Sequence, residues 1–228
     1  LECFDKAMSL NPVDADLIIG RGLTLDSCGR FEEALACYDR VLEMDGSNED
    51  ALFNKALTME RLDRFEESIR IFNYILDTNP THKEAWYELG FCYDCLNRLA
   101  DALKCYNKHL DTDPYNYNAW YNRGIVLNRM AQYSKAIESY DMSLTIKEDF
   151  AAALYNKGNA FANMGRLYDA IDCYKQALRV DHPPARGRHP GDGLPRGGDL
   201  DLPPQDPLDL RGDLLALGPH GLLEPQKT

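Results

Sequence analysis

The hexapeptide AWYNRG at residues 119–124 recurs along the chain at a constant interval. The corresponding stretches read ALFNKA at 51–56, AWYELG at 85–90 and ALYNKG at 153–158, each 34 residues from the next. Self-similarity at one fixed period of 20 to 50 residues is typical of repeat proteins, in which each unit buries its apolar face against its neighbours. The hexapeptide therefore predicts an array of stacked units rather than a single globular core.

Extending this register in both directions gives five units of equal spacing. They span 15–48, 49–82, 83–116, 117–150 and 151–182, and residues 1–14 fit the second helix of a truncated earlier unit. Within each unit, apolar residues recur at helical spacing in two blocks. The residue between the blocks is Gly29, Asp63, Asn97, Ala131 or Gly165, mostly types that tolerate a tight turn after a helix. Each unit is thus predicted to be a pair of antiparallel helices, which makes the fold class all-α.

Three further positions of the unit carry one type of residue throughout the array, which indicates a role in packing. The eighth and twentieth positions are always small, as in Gly124 and Ala136, which predicts a close approach of the two helices. The twenty-fourth position is always aromatic, as in Tyr140, and we expect it to pack between units.

This pattern resembles the tetratricopeptide repeat (TPR). AWYELGFCY at residues 85–93 is similar to the first-helix signature of that family, W-x2-L-G-x2-Y. The resemblance covers residues 1–182. It implies a right-handed α-solenoid, a TPR superhelix in which the first helix of each pair lines a concave groove.

The composition changes abruptly at Pro183. Residues 183–228 hold nine of the 12 Pro and eight of the 16 Gly, and they contain no Ile, Val, Phe, Tyr or Trp. A segment this rich in Pro and Gly, without a repeating period, is typical of low-complexity chains, so we predict a disordered low-complexity tail. Its restricted alphabet is also what an out-of-frame translation of GC-rich codons would give. A slip of the reading frame near Pro183 is therefore a second hypothesis.

The overall composition excludes several classes of function. The chain has 25 Lys and Arg against 37 Asp and Glu, a net charge of −12, which disfavours nucleic acid as a partner. No run of 18 apolar residues is present to span a membrane. The seven Cys suggest no disulfide framework, which favours a reducing compartment and a cytoplasmic location. The remaining partner class is protein or peptide.

Chemistry-bearing motifs are also missing. The five His are scattered without a nucleophile at catalytic spacing, and no Gly-rich phosphate loop is present. Cys92 and Cys95 form a C-x-x-C, but no second pair follows at metal-binding spacing. We therefore predict no catalytic residue, no metal and no cofactor, and we expect the chain not to be an enzyme.

The residues left over after the fold is built are the fifth and sixth of each unit, which the TPR resemblance places in the groove. The fifth position reads Ile19, Phe53, Tyr87, Tyr121 and Tyr155, and the sixth reads Gly20, Asn54, Glu88, Asn122 and Asn156. A primary amide can pair with both the N–H and the C=O of a peptide backbone. The row of amides resembles the asparagine ladder in the TPR superhelix of the O-linked N-acetylglucosamine transferases.

These residues form the predicted peptide-binding site. It comprises the amides Asn54, Asn122, Asn156 and Asn159, the aromatic walls Phe53, Tyr87, Tyr121 and Tyr155, and Arg129. We expect the ladder amides to pack against nothing else in the chain, so that replacing them would leave stability nearly unchanged. The alternative is that they are ordinary solvated residues on an exposed helix face.

Charge is distributed unevenly over the groove positions. The first three units place Asp16, Asp26, Asp50, Glu60, Glu84, Glu88 and Asp94 there, against Arg61 alone. This excess predicts a ligand with a basic segment, or else an acidic face that only keeps the array soluble. Two functions remain open. The chain is a non-catalytic scaffold that binds an extended peptide or partner segment, or it is the substrate-docking region of a larger enzyme such as a glycosyltransferase.

Overall fold

The computed structural model describes Phe4 and residues 13–181. Residues 13–181 form ten α-helices and no strand, so the predicted all-α fold is confirmed. The helices are α1 Ala15–Ser27, α2 Phe31–Met44, α3 Glu49–Arg61, α4 Phe65–Thr78, α5 Lys83–Cys95, α6 Leu99–Thr112, α7 Tyr117–Arg129, α8 Tyr133–Ile146, α9 Ala151–Asn163 and α10 Leu167–Asp181. The predicted tail at 183–228 and most of the predicted half unit at 1–14 lie outside the described residues.

Each predicted unit contains one helix pair, with an odd-numbered first helix and an even-numbered second helix. Each helix packs against the helices before and after it in the chain. The first helices of neighbouring units also contact one another, whereas over residues 13–181 the second helices of neighbouring units do not. The first helices therefore lie on the side where the units come closest together. None of these ten helices is long and apolar enough to cross a bilayer.

The turn inside each unit has a left-handed backbone at one residue. Gly29, Asp63, Asn97, Ala131 and Gly165 have φ between 57° and 76°, so the predicted turn position is confirmed. This region favours Gly and tolerates Asn and Asp, because a Cβ there crowds the following carbonyl oxygen. The turn residue with the least suitable side chain is Ala131, at φ 57°.

Side-chain caps fix the start of the first helices. Asp14, Asn48, His82 and Asn116 each accept a hydrogen bond, at 2.9 to 3.2 Å, from the backbone N–H three residues further on. Such a cap satisfies one of the N–H groups that a helix start leaves without a partner. The fifth first helix, α9, follows Phe150 and has no side-chain cap.

The small eighth position makes room for the aromatic ring of the same unit. A Cβ placed on Gly124 would lie 2.5 Å from Cε1 of Tyr140, and one on Gly22 would lie 2.6 Å from Cε1 of Tyr38. Both tyrosine side chains are fully buried. The sequence pattern attributed the small residue to close approach of the helix backbones, whereas its nearest neighbour is the tyrosine ring.

Candidate functional site on the first helices

The predicted ladder is tied into the array by hydrogen bonds between units. Asn122 Nδ2 on α7 donates to the hydroxyl of Tyr87 on α5 at 2.9 Å. Asn156 Nδ2 on α9 donates to the hydroxyl of Tyr121 on α7, also at 2.9 Å. Tyr at the fifth position of one unit thus meets Asn at the sixth position of the next. The expectation that these amides pack against nothing is wrong, because each one bridges two repeats.

We call the hydrogen bonds Tyr87–Asn122 and Tyr121–Asn156 the ties between units. The tyrosines of these ties are largely packed between repeats. Tyr121 is 2% exposed, and its ring lies 4.8 Å from Phe150 and 6.1 Å from Tyr140, centroid to centroid. Burial raises the pKa of Tyr121 to about 12, although the hydrogen bond from Asn156 partly offsets this effect. Tyr87 is half-buried against Tyr106. Tyr121 therefore contributes by holding Asn156 in place rather than by presenting a ring face to a ligand.

Asn122 keeps an unused acceptor. The residue is 8% exposed. Its Nδ2 makes the bond to Tyr87, but Oδ1 makes no hydrogen bond to any described residue. Oδ1 of Asn128 also lacks a partner, but that atom is fully enclosed, and Asn122 Oδ1 is not. A primary amide has two N–H donors and one carbonyl acceptor, so the tie leaves one donor and the acceptor for a ligand.

Asn156 and Asn159 form a second polar group at the C-terminal end of the row. Tyr174 donates its hydroxyl hydrogen to Asn159 Oδ1 at 2.8 Å, and Asn159 Nδ2 approaches Asn156 Oδ1 at 3.5 Å. The carbonyl of Asn156 is therefore less available than that of Asn122. Tyr155 is half-buried, with its ring 5.4 Å from that of Tyr174.

The N-terminal part of the row has a different construction. Asn54 Nδ2 donates to the backbone carbonyl of Asp50 in its own helix at 2.8 Å, because the preceding fifth-position residue, Ile19, offers no hydroxyl. Phe53 likewise offers none to the next unit. Its ring stacks on His82 with centroids 5.0 Å apart. The structure therefore does not join Asn54 to the tied row formed by Asn122 and Asn156.

Glu88 occupies the sixth position after Phe53. It is half-buried and has no hydrogen bond or ion pair to any described residue. Burial raises the pKa of Glu88 to about 7, while the nearby charge of Arg61 lowers it and that of Glu84 raises it further. A carboxyl group with this pKa changes its charge close to neutral pH.

The basic side chains of this face are already committed to other carboxylates. Arg61 Nη1 lies 2.5 Å from Asp26 Oδ2, and Asp26 also accepts a hydrogen bond from Thr58 at 2.8 Å. Arg129, predicted as a ligand-binding residue, bonds to the Asp94 carboxylate and donates to Asn97 Oδ1 at 2.9 Å. Both ion pairs join first helices of neighbouring units, so they stabilise the array and leave Glu88 without a paired cation.

Sequence reasoning missed these contacts between units. The signal was present, because Tyr87 and Asn122 are 35 residues apart, as are Tyr121 and Asn156, and so are Asp94 and Arg129. A separation of one period plus one residue places side chains on adjacent first helices. Position-by-position comparison of the units concealed it, because that comparison aligns residues exactly one period apart.

Comparison with known families identifies the class of protein. The tetratricopeptide repeat model matches residues 117–150 and 151–182, and the model for the N-terminal TPR repeats region of Psidin matches residues 23–122. The two models together span residues 23–182. The chain is therefore a tetratricopeptide-repeat protein.

Solved structures share this fold. A crystal structure of MamA protein superposes with a TM-score of 0.69 at 23% identity, over 76% of this chain and 98% of that one. YrrB, a TPR protein with an unusual peptide-binding site, has a TM-score of 0.67 at 24% identity, over 78% and 93%. MamA from Desulfovibrio magneticus RS-1 has a TM-score of 0.70 at 17% identity, over 73% and 94%. At these identities the likeness supports the fold alone. No curated protein matches the chain significantly.

Proposed function

We propose that this chain is a non-catalytic interaction module that binds an extended segment of a partner protein along its first helices. TPR domains in general mediate contacts between proteins, and YrrB supplies a case of a TPR fold with a peptide-binding site. In this chain the observation that carries the proposal is Asn122, a nearly buried amide whose carbonyl oxygen has no described partner.

The ties make these amides suitable for holding a peptide backbone. Tyr87 fixes Asn122, and Tyr121 fixes Asn156, each through one N–H. A side chain that is already held loses little conformational entropy when a ligand binds, which favours affinity. The free carbonyl of Asn122 accepts a backbone N–H of the peptide, and the second N–H of either amide donates to a peptide carbonyl. Recognition of this kind depends on the peptide backbone and not on its side chains.

The test is a random dodecapeptide display library screened against the full chain, followed by affinity measurements on synthetic binders. Replacing Asn122 and Asn156 together by Ala removes two ligand contacts of about 0.5–1.5 kcal/mol each, so we expect affinity to fall by roughly 10- to 100-fold. The matched control changes Tyr87 and Tyr121 to Phe. It breaks the same ties but keeps both amides.

The control separates binding from stability. Compared with the double Asn variant, we expect the tyrosine variant to lose a similar amount of stability but clearly less affinity, because both amides remain on the first helices α7 and α9. Equal affinity of the wild type and the double Asn variant would refute the proposal. Equal loss in the two variants would show that the amides act only through the fold. A library that yields no binder to the wild type would also count against the proposal.

A further inference from the structure

We infer that the groove at Glu88 binds a lysine or arginine side chain of the bound segment. This inference rests on the proposed function and specifies what the peptide must carry. Its basis is the combination of a carboxylate and a nearly buried amide carbonyl at the sixth positions of the neighbouring helices α5 and α7, neither of which has a hydrogen-bond partner among the described residues.

The carboxylate is unpaired because the tie seen in the next two units is absent here. Where Tyr87 and Tyr121 offer hydroxyls, the preceding unit has Phe53, so no donor reaches the sixth position from that residue. Glu88 is nevertheless half-buried, and it is reachable because its oxygens are not among the fully enclosed unpaired atoms. A partly desolvated carboxylate without a donor is strongly stabilised by a cation that brings its own N–H groups.

The second observation is Asn122. This residue is 92% buried, and its side chain reaches α5, where it bonds to Tyr87, the residue next to Glu88 in the sequence. Its open Oδ1 is a neutral acceptor on the same face. An ammonium or guanidinium group has three or more N–H donors and no acceptor, so it can satisfy a carboxylate and an amide carbonyl together. An acidic ligand group would instead face two hydrogen-bond acceptors, the carboxylate of Glu88 and the carbonyl of Asn122, without an available Lys or Arg side chain among the described residues nearby.

Within the part of the chain that the structure describes, the neighbouring cations do not already fill this role. Arg61 is held by Asp26, and Arg129 is held by Asp94, so both guanidinium groups are used between units. Arg61 lowers the pKa of Glu88 by its field, but it forms no ion pair with it within the described residues. A cationic side chain of the ligand would therefore compete with neither of these two arginines for Glu88.

Binding should depend on pH because the cation pairs with the ionised form of Glu88. The charged and titratable groups around it are Arg61 and Glu60 on α3, Glu84, Tyr87 and Cys92 on α5, Tyr106 on α6, and Tyr117 on α7 beside Tyr87. With a pKa of about 7 in the free protein, the ionised fraction rises about tenfold between pH 6 and pH 8. Affinity for the cationic peptide should rise by about the same factor. Histidines in general also titrate between pH 6 and pH 8. The part of the change in affinity that is due to Glu88 is therefore the difference between the wild type and Glu88→Gln.

The experiment uses synthetic copies of the library-selected dodecapeptides, each with its Arg or Lys and with citrulline or norleucine in that place. A hydrogen bond to a charged group contributes about 1.5–3 kcal/mol, so the neutral peptide should bind the wild type roughly 10- to 100-fold more weakly. In Glu88→Gln the two forms should bind nearly equally, without the rise between pH 6 and pH 8. The matched control is Glu84→Gln, an exposed carboxylate one turn earlier on α5, which should keep the wild-type preference.

A second variant tests the same inference in case Glu88→Gln does not fold. Phe53→Tyr combined with Glu88→Asn recreates the tie of the next two units and removes the carboxylate, so it should fold well and lose the cation preference. Peptides that bind the wild type without any preference for a cation would overturn this inference and leave the proposed function standing. A preference that persists in Glu88→Gln would do the same. If no peptide binds at all, the proposed function fails first.

Discussion

Glu88 should make the stability of the fold depend on pH in a direction opposite to that of most carboxylates. Its pKa is about 7 in the folded chain against an ordinary value of 4.5, and the main cause is burial. The folded state therefore keeps a proton on Glu88 at pH values where the unfolded chain has lost it. Stability from this group is fully present below about pH 4.5 and is lost as the pH rises to about 7. Glu88→Gln removes this dependence.

The size of the effect follows from the two pKa values. Each pKa unit corresponds to about 1.4 kcal/mol, and most of the difference between 4.5 and 7 falls between pH 5.5 and pH 8. Over that interval the free energy of unfolding of the wild type should fall by about 2 kcal/mol relative to Glu88→Gln. Lower pH is unsuitable because the isoelectric point of about 4.8 brings the net charge to zero, which promotes association.

Urea unfolding followed by circular dichroism, at several pH values from 5.5 to 8, measures this difference. Only the change of the difference with pH matters, because the other carboxylates contribute equally to both proteins. Glu84→Gln removes an exposed charge one turn away whose field makes only the smallest contribution to the raised pKa of Glu88, so it should keep most of the pH dependence of the wild type. Parallel curves for the wild type and Glu88→Gln would refute the reasoning, because they would mean that Glu88 is solvated or already paired in the folded chain.

Three further predictions test the packing between and within units. Asn122→Ala and Tyr87→Phe should each reduce the free energy of unfolding by about 1 kcal/mol. The double variant should lose less than the sum of the two, because both substitutions remove the same hydrogen bond. Additive losses would show that this hydrogen bond does not contribute to stability. Gly124→Ala should reduce the free energy of unfolding in urea by about 1–3 kcal/mol, because its Cβ would lie 2.5 Å from the buried ring of Tyr140. Gly90→Ala should reduce it less, because its Cβ would lie 3.0 Å from the ring of Tyr106. Equal losses in the two variants would contradict this reasoning. Ala131→Gly should raise the free energy of unfolding in urea by about 1 kcal/mol, because it relieves the φ of 57°. A lower free energy of unfolding would show that this backbone is unstrained.

The fold could be predicted from the sequence because every unit repeats the same physical problem. The 34-residue period fixed the register without insertions, and the turn position followed from residues such as Gly29 and Asn97 that accept a left-handed backbone. Even Ala131, an unfavourable residue for that conformation, was located correctly by the period. In an array of this kind, local propensity and packing between units support the same register.

The candidate site was only partly predictable. The period placed the fifth and sixth residues on the first helices, but it gave no measure of how far the neighbouring unit covers them. Tyr121 is 2% exposed and Asn122 8% because the adjacent helix and its hydrogen bonds cover them. Arg129 is drawn away from a ligand by Asp94 in the preceding unit. Burial and pairing of this kind depend on distances between two units, which a one-dimensional pattern does not contain.

The two halves of the row differ in construction and in charge. Tyr at the fifth position allows Asn at the sixth position of the next unit to be tied, as with Asn122 and Asn156, and a tied amide is neutral and fixed. Phe53 removes the hydroxyl, and the sixth position that follows it carries Glu88, which ionises near neutral pH and has no hydrogen bond or ion pair to a described residue. A peptide lying along the first helices would then be oriented by this asymmetry, with its cationic residue at α5 and its uncharged backbone over α7 and α9. Amides alone recognise only the peptide backbone, so Glu88 is the group that would place one particular side chain of the peptide at α5.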